Sequence, residues 1–589
     1  MTNPRQFIRL TVFTLICSLC VPLCPFPFVM SAIEARSIYA SSKTDRPDNF
    51  RIIDQELIIS HDLTFPEHLT LKFLPGGKLN VIPGRTVTIE GFIEAGLDHI
   101  FPGEGLVSFK NRHLTKVYPQ WWGAKSDWNG VTGTDNYGPI QKALNAFNTI
   151  CIPNTGTYSI SRVIDVPDNR LVFADHGKAR IINTSVAPPV GWAGSDIYYC
   201  NVFQIGNYGG QNNLKNGVYA EASYDIQTIN PPANAVQLVK KSDIANFKVG
   251  DIVFLSSREK KQVTSEIKYC QTNKVRAIEA SQGKLLLELQ VEDEYLSKFP
   301  NFAQIRRVSG NVTGLDGLPA RVGQNVSLRN LQLENIKTGP NWSVVHASAY
   351  NLVIDHVELL SPGNGIGINP GANLTLKNIA ITHGAIGFEL CYLCNNVELE
   401  NINITATNGQ VGMNLGEEGC NINVKNVVIN GSHKILGMLI DKQRVNVKQV
   451  CISNEHGSCL QISPDNETIT IDNAELRSPP SKAGIIIGRY QKNINLDNII
   501  ISQCSIGINL ANTGKLEQLS HLNGIIITNS DIMNYTNYGI IFGTKLNNVI
   551  IRNNKIGNKH CQPQNAIFYH ADGHKHIEIK DNIICGAPL

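Results

Sequence analysis

A repeated alternation of apolar and polar residues dominates the second half of the chain. Eleven segments fit the pattern Φ-x-Φ-x-N-Φ-x-Φ, where Φ is apolar, and successive copies begin 22–31 residues apart. Each half of a copy alternates with a period of two, which is typical of a β-strand with one buried face. So many copies at short spacing predict a solenoid in which every copy contributes one coil, or rung, to a shared core. The copies begin at Val326, Leu352, Leu374, Val397, Ile422, Val445, Ile469, Ile494, Ile525, Val549 and Ile577.

The alternation slips by one residue at the fifth position of each copy. A slip that keeps apolar side chains pointing inward predicts a corner in the backbone. Asparagine suits such a corner because it tolerates the left-handed backbone region better than other non-glycine residues. Stacked on successive rungs, the side-chain amides can also bond to each other in a ladder. The corner residues are Asn330, His356, Asn378, Asn401, Asn426, Gln449, Asn473, Asn498, Asn529, Asn553 and Asp581.

A second, shorter strand is predicted after most copies. It has the form glycine, apolar, any residue, apolar, as in GIGI and GFEL. Its residues again alternate, so one face of this strand also points into the core. The segments begin at Gly365, Gly387, Gly412, Gly437, Gly484, Gly507 and Gly539.

The repeat and its asparagine column resemble the right-handed parallel β-helix of the pectate lyase superfamily, from Val326 to the end of the chain. The resemblance implies an all-β solenoid with about eleven recognisable C-terminal rungs and a function on polysaccharides. Leucine-rich repeats, the main alternative solenoid, would need helical stretches and L-x-x-L-x-L spacing, which the chain lacks.

The stretch WWGAKSDWNGVTGTDNYGPIQKAL, from Trp121 to Leu144, is similar to a segment that opens many bacterial and phage β-helix proteins of this superfamily. Ile140, Ala143 and Leu144 fall on one face of a helix, together with Tyr137 and Phe147. We expect an amphipathic helix that caps the amino-terminal end of the solenoid, since terminal repeats need a cap.

These patterns divide the chain into five parts. Residues 1–32 read as a signal peptide and 33–117 as an N-terminal β region, followed by 118–217 with the capping helix and first rungs. Residues 218–310 alternate like a small antiparallel β insert, and 321–589 form the parallel β-helix.

The amino terminus predicts export. Arg5 and Arg9 precede an apolar run from Leu10 to Val21 that prolines then interrupt. An uncleaved anchor is the alternative, but no run reaches the length of about 20 apolar residues that a transmembrane helix needs. We therefore expect a secreted or periplasmic protein with no transmembrane segment.

Composition excludes two classes of partner or state. With 42% hydrophobic and only 17% charged residues, the chain is not disordered. The net charge is +3, and two of those charges are Arg5 and Arg9. No electrostatic argument for nucleic acid or anionic membranes follows.

Candidate chemistry lies on the outside of the second strands, because the interior of a β-helix is packed. Equivalent side chains on neighbouring rungs stand about 4.8 Å apart. One outward line reads Glu389, Asn414, Asp441, Gln461 and Asn509, and just beyond it come Glu417, Glu418, Lys442, Asp465 and Arg489. We predict Glu389, Asn414 and Gln461 as substrate-binding residues.

Two reactions fit the charged members of this set. Glycoside hydrolysis needs two nearby carboxylates, for which Glu417 with Asp441, or Asp441 with Asp465, are candidates. The β-elimination of a uronate polymer needs a base and cationic help, for which Lys442 and Arg489 are candidates, with Ca²⁺ as a further possibility.

The other motifs give less information about function. The polygalacturonase set N-T-D, D-D, G-H-G and R-I-K is absent, and we expect His383 and His456, which each precede a glycine, to be turn residues. Cys391, Cys394 and Cys420 are expected in the core or turns rather than at a zinc site.

Two hypotheses therefore stay open: a secreted enzyme that cleaves an acidic polysaccharide, and a non-catalytic, adhesin-like solenoid that binds glycans. The oligomeric state is left undetermined.

Overall fold

The computed structural model describes most of the chain after residue 48. The described residues are 28–30, 49–185, 201–208, 214–215, 218–219, 222–228, 234–257, 270–291, 304–308, 319–336, 343–416, 419–510, 521–543, 545–557, 563–569, 574–585 and 587–588. Most of the predicted signal peptide therefore lies outside them.

The predicted parallel β-helix is confirmed, with about 18 turns. Each repeat start pairs in parallel with the next one, from Val326 with Leu352 through to Val549 with Ile577. The apolar positions of all rungs meet in one core that runs from Ile53 to Ile584. The period-two pattern fixed this register because a slip of one residue would turn every apolar side chain outward.

The strands of the solenoid begin before the insert and resume after it. The early strands are Thr149–Cys151, Thr157–Ile160, Ile164–Val166, Arg170–Phe173, Ala179–Asn183 and Phe203–Ile205. The later ones are Gly323–Asn335, Ser343–Ser361, Asn364–His383, Ile386–Leu390, Cys394–Leu415, Gly419–Ile440, Gln443–Asn454, Ser458–Ile462, Glu467–Arg477, Ala483–Ile487, Lys492–Ser502, Ile506–Leu510, His521–Thr528, Asp531–Met533, Tyr538–Phe542, Lys545–Arg552, Lys555–Gly557, Ile567–Tyr569, Lys575–Lys580, Ile583–Ile584 and Ala587–Pro588. A short helix, Pro563–Ala566, precedes the strand Ile567–Tyr569.

All eleven predicted corner residues adopt the left-handed backbone conformation, with φ between 52° and 58°. Several of them form the expected ladder. Asn401 Nδ2 donates to Asn378 Oδ1 at 2.9 Å, and Asn426 Nδ2 donates to Asn401 Oδ1 at 2.6 Å. A second left-handed corner, which the sequence pattern did not reveal, lies at the residue before each repeat start. Its members are Asn325, Asn351, Asn373, Asn396, Asn421, Arg444, Thr468, Asn493, Gly524, Asn548 and His576.

Replacing Asn401 will separate the two roles of the corner. We expect Asn401→Ala to lower the free energy of unfolding by about 1–3 kcal/mol. Alanine is strained in the left-handed backbone conformation, and it cannot form the hydrogen bonds of the asparagine ladder. Asn401→Gly loses the ladder but keeps the conformation, so its cost should stay below about 1 kcal/mol. Urea midpoints of the two variants provide the measurement. Equal losses would show that the backbone conformation is not what asparagine supplies.

The glycines that open the second strands are required by a close approach. A Cβ atom on Gly412 would lie 2.5 Å from Ile429 Cγ2 and 2.6 Å from the carbonyl oxygen of Gly437. The same contact with an isoleucine of the neighbouring rung recurs at every predicted member of the column. The coil is therefore too narrow at this corner for any side chain.

The N-terminal region forms a smaller parallel β structure of three three-stranded sheets. The first sheet includes Phe28–Met30, which pairs with Leu57–Ile59 although it lies within the predicted signal peptide. The strands are Phe28–Met30, Phe50–Ile53, Glu56–Ile59, Leu63–Phe65, Thr70–Phe73, Lys78–Val81, Thr86–Ile89, Ile93–Glu94 and Leu106–Phe109.

The predicted amphipathic helix spans Tyr137–Ala146, after a 3-10 turn at Pro119–Trp122. It buries Ile140, Ala143 and Leu144 completely. The helix packs against the strand Leu106–Phe109 on one side and the first rungs on the other. It therefore covers the end of the solenoid and joins it to the N-terminal sheets.

The insert is a closed antiparallel barrel. The solenoid continues past it without a break, because Arg170 pairs directly with Val326. The barrel packs on the turns of the rungs, where Thr272 Oγ1 donates to the carbonyl oxygen of Leu393 at 2.7 Å. Its strands are Ser223–Thr228, Ala235–Leu238, Ile252–Ser256, Cys270–Glu279, Lys284–Leu287 and Gln304–Arg307, with 3-10 turns at Lys241–Asn246 and Ala280–Gln282 and a preceding hairpin of Leu214–Lys215 and Val218–Tyr219.

Candidate functional site

The second strands form a sheet that presents one outward side chain per rung between its inward apolar residues. In register, this line, which we call the flank line, reads Glu389, Asn414, Leu439, Gln461, Ile486 and Asn509. The predicted line differs at two positions. Leu439 occupies the place given to Asp441, which lies two residues further along, and Ile486 was not included in the prediction. Neighbouring members stand about 4.8 Å apart, as the sheet geometry requires.

The flank line mixes hydrogen-bonding and apolar side chains. Asn414 Nδ2 donates to Glu389 Oε1 at 3.0 Å, so the amide holds the carboxylate in place. Leu439 and Ile486 are half-buried and separate Gln461 from the polar groups on either side. Asn509 is buried at the far end of the line. The predicted binding residues Glu389, Asn414 and Gln461 therefore lie on one face.

The predicted catalytic residues lie just beyond the ends of these strands and are mostly buried. Relative exposure is 9% for Asp441, 1% for Lys442 and 3% for Asp465, while Arg489 is half-buried. Asp441 Oδ1 accepts a hydrogen bond from Asn466 Nδ2 at 3.3 Å. Within the described residues, Asp441 and Asp465 therefore form no open carboxylate pair.

Glu417 and Glu418 lie outside the described residues. The predicted pair of Glu417 with Asp441 therefore stays a prediction, as do the catalytic roles of Lys442, Asp465 and Arg489. The backbone places the latter two together, because the amide of Asp465 donates to the carbonyl oxygen of Arg489 at 2.9 Å.

A stack of buried amides beside these residues was missed by the sequence reasoning. Gln443 donates from Nε2 to the carbonyl oxygen of Asp465 at 3.1 Å and accepts from the amide of Glu467 at 2.6 Å. Asn466 Nδ2 donates to the carbonyl oxygen of Ser463 at 2.7 Å, and Gln491 donates to the same oxygen. These side chains satisfy the backbone of the turns. The amide residues that stand two or three positions before the repeat starts Val445, Ile469 and Ile494 were the available signal.

A second feature that was missed is a charged column on the long strands, at the fourth position of each repeat. Glu400 lies between Lys377, at 3.0 Å, and Lys425, at 3.2 Å. Hydrogen bonds from these two ammonium groups lower the pKa of Glu400. The pairs are solvated and contribute little stability each. They show that the charge of Glu400 is already neutralised by its two lysine neighbours.

The two glycine-linked histidines have different environments. His456 lies in an exposed turn, as predicted, with Nδ1 2.8 Å from Ser432 Oγ. The prediction for His383 was wrong: it ends the strand Asn364–His383 and is buried against His433, with 3.2 Å between the two Nε2 atoms. Burial lowers the pKa of both imidazoles. Gly409 makes this pairing possible, because a Cβ there would meet His383.

The cysteines give no metal centre in the described part of the chain. Cys391, Cys394 and Cys420 are buried, as expected for core or turn residues. Among the described residues, no three histidine, cysteine or acidic side chains come together in a way that could hold a metal ion. No helix among them is long and apolar enough to span a membrane.

Comparisons with known proteins add solved structures of low similarity. No family model matches the sequence, and no curated protein matches it. The tailspike protein gp49 from Pseudomonas phage LKA1 is 11% identical, with 80% of this chain and 83% of that chain covered at a TM-score of 0.43. The A-module of mannuronan C-5 epimerase AlgE4 from Azotobacter vinelandii is 12% identical, with 78% and 99% covered at 0.44. PfbA, a surface adhesin of Streptococcus pneumoniae, is 11% identical, with 74% and 90% covered at 0.32.

At these identities and TM-scores the likenesses carry no argument about the activity of this chain. Membership of the pectate lyase superfamily stays a prediction, since no family model matches.

Proposed function

We propose that this protein binds glycans along the flank line of its β-helix. The observation that carries the proposal is the register of Glu389, Asn414, Leu439, Gln461 and Ile486, which puts hydrogen-bonding and apolar side chains on one straight face. Sugars offer both hydroxyl groups and apolar C–H faces. Carboxylate and amide groups bind the hydroxyls, and Leu439 and Ile486 pack against the C–H faces. A repeating face suits a repeating polymer.

Burial favours binding over cleavage. A general acid, base or nucleophile must come within hydrogen-bond reach of the substrate. Asp441, Lys442 and Asp465 are at most 9% exposed, whereas Glu389 and Gln461 are half-buried and open to the face. Cleavage of an acidic polysaccharide by Glu417, Asp441, Lys442, Asp465 and Arg489 stays a prediction.

Export fits this function. Arg5, Arg9 and the apolar run that follows have the order of a secretory signal. A secreted or periplasmic glycan-binding protein meets polysaccharides directly.

Replacing two members of the flank line will test the proposal. The full mature chain is titrated with a panel of pectic, alginate and neutral polysaccharides, and binding is followed by calorimetry. We expect Glu389→Ala with Gln461→Ala to weaken binding about 10-fold or more, because each change removes a hydrogen-bonding group worth about 1 kcal/mol. Glu475→Ala, an exposed carboxylate on the long strands, is the matched control and should bind like wild type.

The same samples report on cleavage. Ultraviolet absorbance from unsaturated uronates would indicate a lyase, and new reducing ends alone would indicate a hydrolase. Binding without either signal supports the proposed function. Equal affinity in the double variant and the control would contradict it.

A further inference from the structure

A groove of about 390 Å³ opens at a different corner of the β-helix. It lies where the long strands of neighbouring rungs end, around Asn335, Ser361 and His383. None of the flank-line residues lines it. Its volume is at the small end of the range of about 300–1,000 Å³ that is typical of small-molecule sites.

The polar lining of the groove leaves hydrogen-bonding groups for a ligand. Thr382 and Thr407 are exposed on neighbouring rungs and line the groove with their hydroxyl groups. The buried imidazole of His383 borders the groove, so its ring can report on a bound ligand. A hydroxyl group can both donate and accept a hydrogen bond, so the two threonines can bind a ligand that itself carries hydroxyl groups.

The charge in the lining is already balanced. Glu334 accepts hydrogen bonds from Arg180, from Nε at 3.2 Å and from Nη2 at 2.5 Å. The carboxylate is therefore neutralised before any ligand arrives. A ligand with a net charge would have no counter-charge in the groove, so the lining favours a neutral ligand.

Apolar surface completes the lining. Ile336 and Pro362 are exposed there, and Leu360 is half-buried. Apolar walls beside hydroxyl and imidazole groups match a pyranose ring, which has an apolar C–H face and a hydroxyl-bearing edge. We propose that this corner groove is a second binding site, specific for one or two rings of a neutral sugar.

The test measures small sugars on the full mature chain. Methyl glycosides of glucose, galactose, mannose, rhamnose and N-acetylglucosamine, and their disaccharides, serve as probes in saturation-transfer NMR titrations. We expect at least one probe to bind and to shift the imidazole ¹⁵N resonance of His383 in protein labelled at histidine. Thr382→Val with Thr407→Val keeps the shape of both side chains and should weaken that probe about 10-fold or more. Thr470→Val, an outward threonine on another rung, is the control and should leave the affinity unchanged.

The outcomes distinguish this site from the flank line. If the threonine variants bind the probe like wild type, or if no probe shifts the His383 resonance, the groove is not a sugar site. The Glu389→Ala, Gln461→Ala protein should still bind the probe with wild-type affinity. Loss of the small sugar in that protein would place it on the flank line and overturn the groove proposal.

Discussion

Acidification will destabilise the protein well above the pH at which its carboxylates titrate. His346, His383 and His433 are buried, and burial lowers the pKa of each imidazole, to about 4 for His346. The usual value of about 6.5 applies in the unfolded chain. Between these values the unfolded state binds protons that the folded state does not. The stabilisation is therefore complete above pH of about 6.5 and is lost as the pH falls toward about 4.

The expected slope follows from the number of histidines. Each contributes up to about 1.4 kcal/mol per pH unit, so three together reach about 4 kcal/mol per pH unit. The His383 and His433 rings face each other, and His346 Nδ1 lies 3.1 Å from Gln204 Nε2. Urea midpoints measured from pH 7.5 to pH 4.5 check this.

A matched pair of variants identifies the source of the slope. His346→Gln should flatten the pH dependence by about one third, since one of three buried histidines is removed. His356→Asn removes an exposed histidine at a corner that favours asparagine and is the comparison variant, because the account requires His346→Gln to flatten the slope more than this change does. A urea midpoint that is constant down to pH 4.5 in the wild type would contradict the account.

Adding one methyl group to the glycine column will destabilise the fold more than so small a change usually does. We expect Gly412→Ala to lower the free energy of unfolding by about 1–3 kcal/mol, because the new Cβ would lie 2.5 Å from Ile429 Cγ2 and must push rung against rung. Gly412→Val should cost more and reduce the yield of folded protein.

Gly138→Ala is the control for this change. It lies in the helix Tyr137–Ala146, where a Cβ meets nothing within 4 Å. The higher helix propensity of alanine is offset by the crowding of its Cβ against Pro139, so stability should stay within about 1 kcal/mol of the wild type. Urea midpoints of the Gly412→Ala and Gly138→Ala variants provide the measurement. Similar values for the two alanine variants would show that the coil has room at Gly412.

The rung register was predictable because it follows from local chemistry. The period-two pattern and one left-handed residue per corner define where each strand starts and turns, and Val326 to Ile577 pair as that pattern requires. The second corner was missed because its residue types vary, with Arg444 and Thr468 standing where most rungs have asparagine.

The candidate site was less predictable because turns do not follow the alternation. Asp441 and Lys442 directly follow the strand Gly419–Ile440, and on an extended strand one of them would point outward. The chain turns there instead and buries both, beside the amides of Gln443 and Asn466. Likewise, His383 and His433 are 50 residues apart in the sequence. They meet because they lie two rungs apart and because Gly409 leaves room between them. Such contacts depend on stacking, which no local pattern encodes.

The central claim is that glycans bind along the flank line, and a crystal structure with a bound oligosaccharide tests it most directly. The ligand is a fragment of whichever polysaccharide of the panel binds most tightly. We expect the sugar rings to follow the rungs, with hydrogen bonds to Glu389 and Gln461 and packing on Leu439. An oligosaccharide lying instead on the charged column around Glu400, or on the insert barrel, would contradict the account.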